Sequence, residues 1–149
     1  MAKKLENNLL LFYTGIRRNS QDVLREHSEA VMKGDKIITG TLHRTGQICQ
    51  EIIEALAAAD FHRFADLVNE HWQERLKRPH TSTPELDKWY EIAKENGALA
   101  GKLVGAGRGG FFLFYCEDKK EQLRRAMAKQ GLREQPFHFE FEGVKIIAS

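Results

Sequence analysis

The residues best suited to chemistry stand in one run, Gly105-Ala106-Gly107-Arg108-Gly109-Gly110. So many glycines free the backbone to adopt positive φ and to turn several N–H groups toward one point. Such a concavity suits a phosphate or another anion, and Arg108 would add a guanidinium that takes a phosphate bidentately. The same run also suits a crowded turn that holds nothing, with Arg108 simply solvated. Context excludes the familiar phosphate-loop fingerprints. Gly105, Gly107 and Gly110 satisfy G-x-G-x-x-G, but the dinucleotide motif needs a helix to open at its third glycine. Here Phe111-Phe112-Leu113-Phe114-Tyr115-Cys116 follows instead, an aromatic strand. No G-K-[ST] follows the glycines, so the run is not a P-loop. A strand–loop–strand setting is nearer the glycine loop of protein kinases, yet no V-A-I-K, H-R-D or D-F-G stretch occurs.

Other polar residues are weaker candidates. Thr14, Arg17, Arg18 and Lys102 are candidate substrate contacts, because Arg17 and Arg18 follow a strand end at the Thr14-Gly15 turn. With Arg44 they could line a phosphosugar site, although arginines at a helix start are commonly just exposed. The six histidines (27, 43, 62, 71, 80 and 138) form no H-E-x-x-H and no closely spaced His/Cys pair. They read as surface or internally satisfied side chains, and no metal site is expected. Cys116 ends an apolar strand with no G-x-S-x-G or base beside it, so no catalytic nucleophile is expected. Trp72, Trp89 and Tyr90 fall at helical core spacing, and Lys119, Lys120, Arg124 and Arg125 read as a wet helix face.

The elements that position these groups are legible as alternating apolar patterns. Residues 8–13 form a short apolar run stopped by Thr14-Gly15, a central strand. Val23, Leu24, His27 and Val31 then follow helical spacing up to Gly34. Ile38, Leu42, Cys49, Ile52, Ile53 and Leu56 are expected on one stripe of a long helix. Asp60 caps a helix bearing Phe61, Phe64, Val68 and Trp72. Thr83 and Pro84 start another, with Leu86, Trp89, Tyr90 and Ala93 inward, and Asn96-Gly97 ends it. Leu99 to Val104 and Phe111 to Cys116 flank the glycines as strands. A helix opening at Asp118 turns Leu123 and Met127 inward and closes at Gly131. Phe137, Phe139 and Phe141 alternate with polar residues as a strand, and Val144 to Ile147 form the last. The order predicts an α+β domain, a mostly antiparallel sheet with helices packed on one face.

Composition fits a single domain spanning residues 1–149. The chain is 42% hydrophobic and carries 23 basic against 21 acidic residues, a net charge of +2. That balance offers no footprint for nucleic acid. The apolar runs are too short for a membrane span, and no cleavage-site pattern follows the basic N-terminus. Cys49 and Cys116 both sit among apolar residues, read as small buried hydrophobes in a reducing cytoplasm.

Four segments resemble the C-terminal domain of the GHMP small-molecule kinases, in the heptose-phosphate, sugar-kinase branch. Residues 9–18 resemble the strand and turn that open that domain. Trp72 with Arg75-Leu76-Lys77-Arg78 is similar to a W-x-x-K-[RK] helix end at slightly altered spacing. Asn96 to Lys102 resembles G-A-x-G-G-K. Gly105 to Gly110 resembles the third motif of the family, usually G-A-G-G-G-G, with Arg108 in place of a glycine. The resemblance implies a ferredoxin-like core whose glycine loop approaches a phosphate-binding loop at the active-site cleft. It implies transfer of the ATP γ-phosphoryl group to a hydroxyl of a small metabolite, with Mg²⁺ bridging phosphate oxygens. In that family the P-x-x-x-G-L-G-S-S-A loop, the magnesium carboxylate and the catalytic aspartate belong to an N-terminal half, and none of the three prolines here opens such a loop. ATP and Mg²⁺ are therefore expected only in a complete two-domain kinase, with no cofactor and no activity for the isolated chain. The expected partners are the missing N-terminal half or a second copy of the chain, and a phosphorylated small molecule. The alternative is a free-standing module of the same fold that binds a phosphometabolite or another protein.

Overall fold

A computed structural model describes residues 1–17, 20–105 and 108–143. Among them the chain runs α1 (Ala2–Asn8), β1 (Leu9–Tyr13), α2 (Ser20–Met32), α3 (Lys36–Ala57) and α4 (Phe61–Leu76). It continues α5 (Pro84–Glu95), β2 (Ala100–Val104), β3 (Phe111–Tyr115), α6 (Lys120–Lys129) and β4 (Arg133–Glu134). The strands form one sheet in the order β2-β3-β1-β4, every neighbouring pair antiparallel. The α+β class expected from the sequence is what the chain adopts.

Alternation along the strands sorts their side chains between two faces. Leu10, Phe12, Leu103, Phe112 and Phe114 lie together with Trp72 of α4, Leu86, Trp89 and Tyr90 of α5, and Leu123 and Met127 of α6. The reverse face is not bare. Tyr115 and Ala100 join a second cluster with Ile48 and Ala55 of α3 and Phe61, Phe64, Leu67 and Val68 of α4. The helix α4 belongs to both clusters, so it joins the two cores along the β2 edge. Helix starts follow their caps: Asp60 accepts from the Arg63 amide, Asp35 from those of Ile37 and Ile38, and Thr83 from that of Leu86.

The structure corrects several expectations. The first turn of chain is a helix, α1, that the sequence reading left unassigned. In α3 the buried residues are Ile38, Thr41, Ile48 and Ala55, a stripe at spacings of three, seven and seven. The expected stripe is rotated: Leu42, Cys49 and Ile53 are exposed, while Ile48 and Ala55 pack with Phe61, Phe64, Leu67 and Val68 of α4. Cys49 is thus a surface thiol, while Cys116 is buried as expected. Leu24 and Val31 of α2, expected inward, are exposed. The helix α6 opens with Lys119 rather than Asp118 at its cap. Phe137 to Phe141 is not a strand. The Gln135 amide still donates to Leu11 O at 2.7 Å, and Pro136, with no N–H, ends the ladder there. The three phenylalanines instead pack on one another, 137 on 139 tilted and 139 on 141 edge-to-face, and the Phe139 amide donates to Glu6 of α1. Val144 to Ile147, expected as a strand, lie outside the described residues.

A Cβ added at Gly101 of β2 would stand 2.3 Å from Cδ1 of Phe114. That ring is wedged against Phe112 at 5.1 Å and Tyr90 at 6.5 Å. Gly101→Ala should therefore destabilise the domain by about 1–3 kcal/mol, the usual range for overpacking; the urea midpoint measures it, and an unchanged midpoint would contradict it.

Candidate functional site

The glycine loop is pinned at both ends. On the α4 side the Arg75 guanidinium, only 5% exposed, donates from Nη1 to Leu103 O at 2.9 Å and from Nη2 to Gly105 O at 2.8 Å. The backbone of Arg75 in turn accepts from the Thr81 hydroxyl, and Thr81 O accepts from the Arg108 amide at 3.1 Å. The Arg108 guanidinium meets His80 Nδ1 at 3.1 Å. On the β1 side the Gly110 amide donates to Ile16 O, and Gly110 O accepts from both the amide and the hydroxyl of Thr14. A Cβ at Gly109 would lie 2.5 Å from Ile16 O, so only glycine permits that approach.

These bonds place the sequence candidates. The Thr14 side chain is buried and stapled to Gly110, a structural role. Arg17 and Arg108 are exposed beside the loop, and Arg108 holds φ +61 while Gly105, Gly109 and Gly110 also have positive φ. The amides of Arg108 and Gly110 are engaged by the carbonyls of Thr81 and Ile16 and so do not face an anion. Arg18, Ala106 and Gly107 lie outside the described residues. Arg44 is held elsewhere, bridging Glu51 of α3 and Glu70 of α4 at 2.5 and 2.7 Å.

Lys102 is where the structure adds most. It lines a groove of about 600 Å³ that opens beside Gly105. Leu24, Val31 and Met32 of α2 and Leu42 of α3 supply apolar walls, and His71, Arg75, Arg78 and Lys102 lie along it. His27 of α2 reaches it too, with Nε2 3.3 Å from Pro79 O. Burial drives the His71 imidazole down to about 4, with Lys102, Arg75 and Arg78 adding repulsion. Burial likewise lowers Lys102, with Arg75 contributing, and lowers Arg78 against the opposing pull of Glu74. His71 Nδ1 and Arg78 Nε are buried without a hydrogen-bond partner, a cost of about 1–3 kcal/mol for each such group. Sequence reading missed His71 and Arg78, because the apolar walls that bury them come from α2 and α3. The only signal was their place beside Trp72 and Arg75, inside the W-x-x-K-[RK]-like segment.

Among the described residues no group of three or more His, Cys, Asp or Glu side chains could hold a metal ion. None of their helices is long and apolar enough to cross a membrane.

The family model for the C-terminal domain of GHMP kinases matches residues 52–132, more than half of the chain, and the chain belongs to that family. It is 35% identical over 147 residues to D-glycero-alpha-D-manno-heptose 7-phosphate kinase of Campylobacter jejuni. The match covers 97% of this chain and 43% of that enzyme, so the chain spans less than half the length of this relative. Mevalonate kinase of Methanococcus jannaschii is similar in structure, with a TM-score of 0.66, 26% identity and coverage of 89% of this chain and 40% of that one. Mevalonate kinase of L. major, crystallised with R-mevalonate, superposes with a TM-score of 0.73 at 22% identity, covering 82% and 38%; at that identity the likeness concerns the fold alone.

Two measurements test this geometry. Arg75→Lys keeps a charge but cannot serve two carbonyls in a planar fork, so it should cost about 2 kcal/mol and speed hydrogen exchange at the Arg108 amide; unchanged exchange would refute the pinning. The His71 imidazole stays neutral to about pH 4 when folded against 6.5 ordinarily. Between those values the unfolded chain binds more protons, so stability is full above pH 6.5 and is lost as pH falls toward 4. The guanidinium unfolding midpoint should drop from pH 7 to pH 5, and drop less in His71→Gln.

Proposed function

We propose that this domain is the C-terminal half of an ATP-dependent kinase acting on a sugar or sugar phosphate. Transfer would require complementation by a half that carries the phosphate loop, the magnesium ligands and the base. The observation that carries the proposal is the 35% identity to a heptose 7-phosphate kinase across 97% of the chain, with the glycine loop pinned between two turns. Phosphoryl transfer is mostly positioning and charge stabilisation, and a loop fixed by Arg75, Thr81 and Thr14 is a fit part for that work. In this scheme the loop packs against the nucleotide-bearing half, and the groove beside Gly105 receives the acceptor. The groove is built by this chain alone, which favours a second reading: a module that holds a phosphorylated metabolite without transferring phosphate.

Alone with Mg-ATP and a panel of sugars and sugar phosphates, the chain should show no transfer above background. Mixed with the N-terminal half of the C. jejuni heptose 7-phosphate kinase, it should restore turnover on a sugar phosphate in a coupled ADP-release assay. Turnover by the chain alone, or none with the complementing half, would overturn the kinase reading.

A further inference from the structure

We infer that the groove between α2, α3 and the end of α4 is a binding site for the phosphate group of a phosphorylated small metabolite, held by Lys102, Arg78 and His71. The inference rests on the kinase reading only in naming this ligand as the acceptor; the site itself is argued from the charges that line it.

Five basic side chains reach the groove (His27, His71, Arg75, Arg78 and Lys102), and no carboxylate is among the described residues lining it. The chain as a whole carries nearly equal numbers of acidic and basic residues, so this segregation is local. Elsewhere the surface pairs its charges: Arg44, Arg63 and Arg124 each meet a glutamate. The groups facing His71 are Lys102 from β2 and Arg75 and Arg78 at the end of α4. The nearby opposing groups are Glu74, which acts on Arg78 and is bonded to Lys77, and Cys49, which acts on Lys102. Like charges gathered in a partly desolvated groove repel one another, and an anion relieves the repulsion. His71 is 92% buried by its 8% exposure, lines the groove and leaves Nδ1 without a partner. Buried polar atoms in folded proteins are nearly always satisfied, so an orphan here points to a group that the protein does not itself supply.

Arg75 is committed to the Leu103 and Gly105 carbonyls, which leaves Lys102, Arg78 and His71 to meet the anion. Leu24, Val31, Met32 and Leu42 border the groove and offer apolar surface to the carbon body of a small molecule. The volume of about 600 Å³ accommodates a phosphosugar.

The test uses the chain alone, so its outcome is separate from phosphoryl transfer. Inorganic phosphate, mannose 6-phosphate and mannose are titrated against ¹⁵N-histidine-labelled protein. Mannose 6-phosphate should bind at least tenfold tighter than mannose. Saturating phosphate should raise the pH at which the His71 imidazole titrates by one unit or more. Arg78→Gln and Lys102→Gln should each weaken mannose 6-phosphate at least tenfold, whereas Lys129→Gln on the outer face of α6 should leave it unchanged. Equal affinity for mannose and its phosphate, an unmoved His71 titration, or full binding in both groove variants would overturn the site. Binding as expected without turnover in the complemented kinase would keep the site and reject the kinase reading.

Discussion

A guanidinium withdrawn from water must find acceptors for its rigid fork of donors, and Arg75 finds them on the carbonyls of Leu103, in β2, and Gly105, just beyond it. From that one grip the geometry of the functional face follows. The end of α4 is tied to the edge strand, so Gly105 leaves the sheet at a fixed point, and Thr81, bonded to the Arg75 carbonyl, turns the 77–82 loop back to meet the Arg108 amide. Because Arg75 also lies in the last turn of α4, its charge complements the negative end of the helix dipole. The neighbouring side chain Trp72 lies against Phe112 at 5.7 Å, so the same helix face that holds the loop also fills the core.

The glycine loop and the groove are consequences of the same helix end seen from two sides. On one side α4 hands Gly105 to the loop. On the other it turns His71 toward Lys102 of the reverse sheet face. The groove therefore abuts the start of the loop, sharing Gly105 with it.

Much of this was legible in the sequence where local chemistry decides the outcome. Thr83-Pro84, Asp60 and Asn96-Gly97 mark helix ends through caps and fixed φ, and the structure places helix ends there. The strands around the glycines are runs of apolar residues with no competing helical period. The illegible parts are those decided by a partner element. Which stripe of α3 is inward is decided by α4, and Ile48 and Ala55 take that contact while Leu42 and Ile53 stay exposed. The phenylalanines at 137, 139 and 141 have a strand's alternation, but one proline and the Glu6 carboxylate, 133 residues before Phe139, divert them. The cationic groove is assembled from three helices and a strand, and no window of sequence contains it. The glycine loop itself was visible at once, yet its amides at 108 and 110 are engaged by carbonyls that only the fold brings near.

None of the described side chains of α2 is buried, although this helix forms one wall of the groove. Its residues can thus be exchanged with little penalty to folding, while Trp72 and Arg75 on α4 cannot. Substitution along that wall would leave the anchor in place. Changes along this one helix would reshape the lining of the groove while the loop keeps its supports.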